Sequence, residues 1–332
     1  MTNNLRSVGI VGLGAFLPQK KITNHDLRKL VDTSDEWILS RTGISERRKV
    51  SEQEAASDLG TKAAQRALAA AKVRPEEVDL IIVATVTPDM FFPATACLIQ
   101  KNLGASNAAA FDLSAACSGF IYALSVASQF ITSDMYNTVL VVAAEVMTKI
   151  VNWEDRNSCV LFGDGAGAAV LQPVEKGSGF LSFDLGADGR GADFLKLPAG
   201  GSRKPTSQET LINKEHFLTM NGNEVFKFAV KIMGDTSVKA LEKASLSQDD
   251  LDYLVPHQAN TRIIEAARKR LGLEAEKVYL NLDKYGNMSG ASVPVALTEA
   301  VEKGYIQKGN IVLLVAFGAG LTWGSAVIKW AM

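Results

Sequence analysis

The sequence predicts an α/β protein made of a duplicated unit, with mostly parallel sheets covered by helices on both faces. Three observations predict it. Ala-rich segments of helical spacing alternate with short, continuous Val/Ile/Leu runs, the pattern of strands buried on both sides. The two halves echo each other in order: "EEVDLIIV" from Glu76 answers "DDLDYLVP" from Asp249, and "FGDGAGAAVL" from Phe162 answers "FGAGLTWGSAVI" from Phe317. A length of 332 residues, 47% of them apolar, suits two fused halves better than one core.

The elements follow in chain order. "EQEAASDLGTKAAQRALAAAKV" reads as a helix and "DLIIVATV" as the strand after it; "TVLVVAAE" and "GAAVLQPV" are further strands. In the second half "GNEVFKFAVKIMGDTSVKALEKA" is a helix, "LDYLVPH" a strand, "TRIIEAARKRLG" a helix, and "NIVLLVAF" and "GSAVIKW" strands. The offset between the paired markers falls from 173 to 155 residues, so the first half carries extra chain between its markers. The halves divide as 1–175 and 176–332. The Gly-, Pro- and polar-rich stretch "ADGRGADFLKLPAGGSRKPTSQETLINKEH" reads as the connection between them, with an extended excursion inside it. "GIVGLGAFLP" fails as a dinucleotide fingerprint, because Leu17 and Pro18 stand where a third glycine should open a helix. It reads instead as a tight turn after the first strand.

Composition narrows the function. A net charge of −1 gives no basis for a dominant nucleic-acid role. The polar start "MTNNLRSVG" has no signal-peptide core, and the longest apolar run, "IVLLVAFGAGL", is too short to span a bilayer, so a cytoplasmic chain is expected. Three scattered cysteines, Cys97, Cys117 and Cys159, without a C-x-x-C pair, suggest neither a disulfide framework nor structural zinc.

Cys117 is set in "FDLSAACSGFIYAL", among residues with almost no side chain, where a strand passes into an apolar helix. A thiol there is either quiet packing or a nucleophile. A helix N-terminus would favour its thiolate, and the small neighbours leave room for an acyl group. His257 in "LVPHQAN" follows a strand and precedes a helix, at the strand ends where α/β sheets bind ligands. Asn287 stands in "YGNMSGAS", a turn context. A cysteine from one half could meet the histidine and asparagine of the other at the seam. Such a set serves two chemistries: a Cys-His-Asn hydrolase, with His as base, or a decarboxylating condensing enzyme, with His and Asn as hydrogen-bond donors to an enolate.

"DLSAACSGF", "VPHQAN", "YGNMSGAS" and "AFGAGLTWGSA", in this order, resemble the signature segments of the β-ketoacyl-acyl-carrier-protein synthase III family, and "VDTSDEWILSRTGISER" resembles its coenzyme A segment. The likeness runs over essentially the whole chain. It implies the thiolase fold, two pseudo-repeated halves layered α-β-α-β-α, and a homodimer that starts fatty acid synthesis by condensing a short acyl-CoA primer with malonyl-acyl-carrier protein, releasing CoA and CO2. It implies Cys117 as the acylated nucleophile, His257 and Asn287 as decarboxylation donors, and the N–H groups of Cys117 and Gly320 as the oxyanion hole. Trp37 would stack on the adenine of coenzyme A with Arg156 on its other side, and Thr33 and Arg41 nearby. Phe92, otherwise a core aromatic, would close the acyl pocket of the dimer partner. No metal and no tightly bound cofactor are implied; coenzyme A arrives as a thioester substrate. The family commonly has Thr and Ala where this chain has Met288 and Gly290, a departure that bears on packing around Asn287.

Three rivals stand beside that reading. A papain-like protease lacks its C-G-S-C-W signature here. A non-catalytic carrier-binding paralogue would be expected to lose the cysteine. A synthase III-like acyltransferase of secondary metabolism fits the same residues. Carrier-protein docking is expected on the helix "TRIIEAARKRLG", where Arg262 and Lys269 share a face flanked by Arg268 and Arg270, with Lys227 on the preceding helix. An acidic carrier would be steered by such a rim; a solvated helix face is the plainer alternative.

Overall fold

A computed structural model describes residues 5–332. Its long strands form a five-stranded and a four-stranded sheet. The first contains β1 (Val8–Phe16), β2 (Leu80–Ala84), β3 (Ala109–Leu113), β4 (Val139–Val146) and β5 (Asp164–Pro173), in the spatial order β1-β5-β4-β2-β3. The second contains β6 (Gly179–Ala187), β7 (Tyr253–Pro256), β8 (Ile311–Gly318) and β9 (Thr322–Lys329), in the order β7-β8-β9-β6.

The duplication is visible strand by strand. In the first sheet β1/β5 and β5/β4 are antiparallel, while β4/β2 and β2/β3 are parallel. In the second, β6/β9 and β9/β8 are antiparallel and β8/β7 is parallel. The two orders superimpose, and the place of β3 is held in the second sheet by a single parallel bridge, Leu254 to Val278. The sheets are therefore mixed, and the expectation of mostly parallel sheets is corrected. Antiparallel strands buried on both faces have the same unbroken apolar sequence as parallel ones, so composition cannot separate them.

Side-chain alternation assigns the layers. Along β4, Val139, Val141 and Ala143 enter one core while Leu140, Val142 and Ala144 enter another. The shared core lies between the sheets and encloses two helices, α4 (Gly119–Thr132) and α7 (Ser292–Glu302). Outside the first sheet pack α2 (Ala56–Ala71) and α3 (Thr95–Leu103). Outside the second pack α5 (Gly222–Lys243) and α6 (Thr261–Arg270). This is the layered α-β-α-β-α arrangement. Phe120, Ile121 and Leu124 of α4 are fully buried, each contributing about 1.5–3 kcal/mol of transfer free energy.

Two further expectations change. "GIVGLGAF" is no turn: it lies within β1, whose pairing is interrupted between Ile10 and Gly12. A Cβ on Gly12 would stand 2.5 Å from the Ala67 carbonyl oxygen, and one on Gly14 would stand 2.4 Å from that of Ala63. The glycines let the backbone of α2 lie on the strand. The polar stretch after Ala187 is not the connection between halves either, because β6 already belongs to the second sheet. It is an excursion between β6 and α5. The extra chain of the first half lies mainly between β4 and β5, where residues 147–163 stand in place of the tight β8–β9 hairpin. Among the described residues no helix is long and apolar enough to cross a membrane.

Candidate active site

Cys117 is placed by strain and by the opposite half of the molecule. After β3 the chain makes one 3-10 turn, Ala116–Ser118, before α4 begins at Gly119. Ala116 has φ of 48°, a left-handed conformation that costs a non-glycine residue about 1–2 kcal/mol. The turn is tied across the seam. The Ser118 hydroxyl donates to the Ala115 carbonyl at 2.7 Å and to Thr322 Oγ1 at 2.8 Å, and Thr322 Oγ1 donates to the Ala115 carbonyl at 3.0 Å. Gly318, at the end of β8, lies directly on the turn: a Cβ there would be 2.6 Å from the Cys117 nitrogen.

His257 follows β7, and its N–H donates to the Val315 carbonyl of β8 at 2.7 Å. The ring is buried edge-on against Phe317, centroids 5.6 Å apart, and neither ring nitrogen has a protein partner among the described residues. Burial drives its pKa down to about 3, so the imidazole is neutral at physiological pH. Asn287 is held on both sides by backbone: its N–H donates to the Leu161 carbonyl at 2.9 Å, and its carbonyl accepts from the Gly163 N–H at 3.0 Å. Its side-chain Oδ1 accepts the Ser289 N–H at 2.8 Å, which leaves the Nδ2 donors for the site. Cys117, His257 and Asn287 share the wall of one cavity of about 910 Å³. Residues from both halves thus line the same cavity.

The thiol itself differs from expectation. Burial pushes the Cys117 pKa up to about 12; the Ser289 hydroxyl pulls it down, the Glu145 carboxylate pushes it up, and its own backbone N–H pulls it down. The sulfur stands one turn ahead of α4 and is nearly sealed from solvent, so desolvation outweighs the helix N-terminus. The resting site holds a thiol.

The Trp37 group is assembled at the cavity mouth. Helix α1 (Asp35–Thr42) starts at Ser34, whose hydroxyl accepts the Trp37 N–H at 3.0 Å. The Arg156 guanidinium lies 4.8 Å from the Trp37 ring centroid and that of Arg41 5.7 Å away. Arg156 also donates to the Asp32 carbonyl at 2.9 Å. Trp37, Arg41 and Arg262 line the cavity. The Thr33 hydroxyl is buried and unpartnered among the described residues.

Other predicted residues fall elsewhere. Gly320 is in the exposed tip of the β8–β9 hairpin, outside the cavity wall; Gly318 is the glycine against Cys117. Phe92 is 84% exposed beside Phe91, so it is no core aromatic and is absent from its own chain's cavity wall. On α6, Arg268 pairs with Glu265 at 2.7 Å and also donates to the Leu273 carbonyl. Lys269 reaches the same Glu265 at 3.5 Å, Arg270 lies 3.9 Å from Asp235, and Lys227 pairs with Glu224 at 2.7 Å. Arg262 instead stacks on Phe226 at 5.0 Å and faces the cavity. Met288 is fully buried, and its sulfur would lie 2.5 Å from a Cβ on Gly165. A Cβ on Gly290 would meet only ordinary contacts, 3.4 Å from the Ala116 carbonyl oxygen and 3.6 Å from Glu145 Oε1. Sequence reasoning missed Gly318, Ser289 and Glu145. The signal for the last was present: a lone acid closing the apolar strand "TVLVVAAE".

Residues 111–189 match the family described as 3-oxoacyl-[acyl-carrier-protein (ACP)] synthase III, and residues 241–330 match its C-terminal part. A beta-ketoacyl-[acyl-carrier-protein] synthase III of Caldanaerobacter subterraneus subsp. tengcongensis is 61% identical, covering 98% of each chain. The solved beta-ketoacyl-[acyl carrier protein] synthase III from Thermus thermophilus superimposes with a TM-score of 0.91 at 50% identity, over 97% of this chain and 99% of that one. The priming beta-ketosynthase from the R1128 polyketide biosynthetic pathway does so with a TM-score of 0.92 at 37% identity, over 98% and 97%.

Proposed function

The chain belongs to the 3-oxoacyl-[acyl-carrier-protein] synthase III family and is an acyltransferase of the condensing kind; on that premise we propose how its residues divide the reaction. Cys117 takes the acyl group from acyl-CoA, and CoA leaves. Malonyl-acyl-carrier protein then enters, and His257 and Asn287 donate hydrogen bonds to its thioester oxygen. Loss of CO2 leaves an enolate on those donors, and its carbon attacks the acyl-cysteine. The 3-ketoacyl-acyl-carrier protein departs, and the product begins a fatty acid chain. The observation that carries this division is the state of His257. An imidazole with a pKa near 3 is a poor base, and with Asn287 Oδ1 already engaged, both side chains are suited to donate. A hydrolase triad needs that histidine as a base, and the same observation disfavours it.

The remaining roles follow. Trp37, Arg156, Arg41 and Thr33 hold the coenzyme A thioester, which comes and goes as substrate. The Cys117 N–H and an N–H of the β8–β9 hairpin form the oxyanion hole, with Gly318 in contact and Gly320 at the tip. Phe92, exposed on this chain, closes the acyl pocket of a second copy in a homodimer. The carrier protein docks on the α6 rim through Arg262, Lys269 and Arg270, with Lys227 beside them; Arg268 is held by Glu265 and adds little. The protein is cytoplasmic, and the two halves divide at residue 175. Fatty acid initiation is favoured over secondary metabolism by the higher identity to the Caldanaerobacter enzyme than to the R1128 ketosynthase.

One assay tests the reading. Purified protein given acetyl-CoA and malonyl-acyl-carrier protein forms 3-ketoacyl-acyl-carrier protein with one CO2 per product. Isobutyryl-CoA and octanoyl-CoA in parallel test Phe92: a preference for octanoyl-CoA contradicts its role as a short-chain stop. Free fatty acid as the sole product, with no condensation, overturns the assignment.

A further inference from the structure

A buried thiol that must become a nucleophile raises the question of where its proton goes. His257 is a weak acceptor. A second titratable group near the thiol is Glu145, at the end of β4. It is completely buried, and its protein donors are all neutral. Oε2 accepts from Thr87 Oγ1 at 2.6 Å, the Val86 N–H at 3.1 Å and Thr85 Oγ1 at 3.3 Å. Oε1 has only a share of the Val86 N–H, at 3.3 Å. That freer oxygen faces the turn of residues 289–291, 3.6 Å from where a Gly290 Cβ would be; the Ala116 carbonyl oxygen, next to Cys117, lies 3.4 Å from the same point. The carboxylate and the thiol turn therefore meet across one small turn.

Ser289 begins that turn. It is 1% exposed, and its hydroxyl has no hydrogen-bond partner among the described residues. An unsatisfied buried hydroxyl costs about 1–3 kcal/mol and calls for an explanation. Its φ of 47° adds strain. Its N–H is engaged by Asn287, so the backbone is fixed while the hydroxyl is free to turn.

We propose that Glu145, acting through the Ser289 hydroxyl, receives the Cys117 proton during acyl loading and returns it when the condensed product leaves. The step balances. The thiol proton passes to Ser289 Oγ as the Ser289 proton passes to Glu145, and the freed sulfur pair attacks the acyl carbonyl, expelling CoA thiolate to solvent. In the second half the enolate carbon bonds the acyl carbon, the Cys117–acyl bond breaks, and the sulfur takes the proton back along the same path. Glu145 touches no substrate and is a positioning residue. The turn that begins at Ser289 packs against both the end of β4, which carries Glu145, and the 3-10 turn that carries Cys117, so its hydroxyl lies in the layer that separates them. Burial raises Glu145 to about 7, where a base operating at neutral pH belongs. Around the thiol the titratable groups are His257, on the same cavity wall, and Glu145 on β4; no ion pair joins Glu145 among the described residues.

The inference rests on Cys117 as the acylated nucleophile, so the test reads the thiol independently of the transfer reaction. Alkylation of Cys117 by iodoacetamide is followed by mass spectrometry from pH 5 to 10 in wild type, Glu145→Gln, Ser289→Ala and the double variant. Glu145→Gln keeps the size and the Thr87 and Val86 hydrogen bonds. The expected result is an alkylation rate at pH 7 lower by at least about tenfold in each single variant, a profile displaced to higher pH, and no further loss in the double variant. Faster alkylation in Glu145→Gln would show that the carboxylate only repels the thiolate, and an unchanged rate would show that it does nothing; either overturns the proposal. If Glu145→Gln fails to fold, Ser289→Ala decides: a wild-type profile there also overturns it. Loss of acetyl transfer from wild type itself, with alkylation intact, would count against the proposed function and not against this path.

Discussion

Gly318→Ala should disable the protein while leaving it folded. The added methyl would stand 2.6 Å from the Cys117 nitrogen, 3.1 Å from the Ala116 Cβ and 3.3 Å from the Cys117 Cα. The first distance is roughly 0.8 Å shorter than an ordinary van der Waals contact. The nearest atom and the Cys117 Cα are backbone, in a turn pinned through Ser118 and Thr322, so neither side yields cheaply. Overpacking of this kind costs about 1–3 kcal/mol of stability. The functional cost is larger, because displacing a nucleophile by about 1 Å lowers its rate on the order of 100-fold. Single-turnover acetylation of Cys117 from acetyl-CoA, followed by mass spectrometry, reads the rate; thermal unfolding reads the stability. Gly290→Ala is the control, since its methyl meets nothing nearer than 3.4 Å. Acetylation of Gly318→Ala at the wild-type rate would refute the claim that this contact sets the position of the sulfur.

Cys117→Ser should abolish the acetyl adduct and keep the fold; an adduct on Cys97 or Cys159 in wild type would contradict the assignment. Asn287→Ala should spare acetyl loading and slow malonyl decarboxylation by about 3–4 kcal/mol in the transition state, whereas equal loss in both half-reactions would make Asn287 structural. Lys269→Glu with Arg270→Glu should raise the KM for malonyl-acyl-carrier protein and leave acyl transfer from free acyl-CoA nearly unchanged; unaltered use of the carrier at low salt would reduce the cluster to solvated surface. His257 binds no proton in the folded state until about pH 3, whereas the unfolded chain takes one near 6.5, so stability falls as pH drops through that window. Relative to His257→Gln, wild type should lose about 3 kcal/mol between pH 7 and pH 4, measured by urea unfolding, and parallel curves for the two proteins would contradict the buried neutral imidazole.

The layers and the residues at the seam were readable from the chain alone. Short, continuous apolar runs between Ala-rich helical segments read as strands buried on both faces, and the ordered echoes between halves read as the same unit twice. Cys117 and Asn287 stood out because each lies in a run of small residues, and His257 because it follows a strand and precedes a helix. The features that needed the folded molecule depend on distances between residues far apart in the chain. Strand direction is one case, since unbroken apolar sequence is common to both senses. The glycines of β1 are another: their purpose appears only when α2 is laid across them. Arg268 looked like a free cation until Glu265 and the Leu273 carbonyl were found to hold it. The state of the thiol is the clearest instance. A helix start argues locally for a thiolate, but the second half closes over Cys117 and removes water. Desolvation then outweighs the local field, and on the path proposed above the burden of ionising the sulfur passes to groups 28 and 172 residues away in sequence, Glu145 and Ser289.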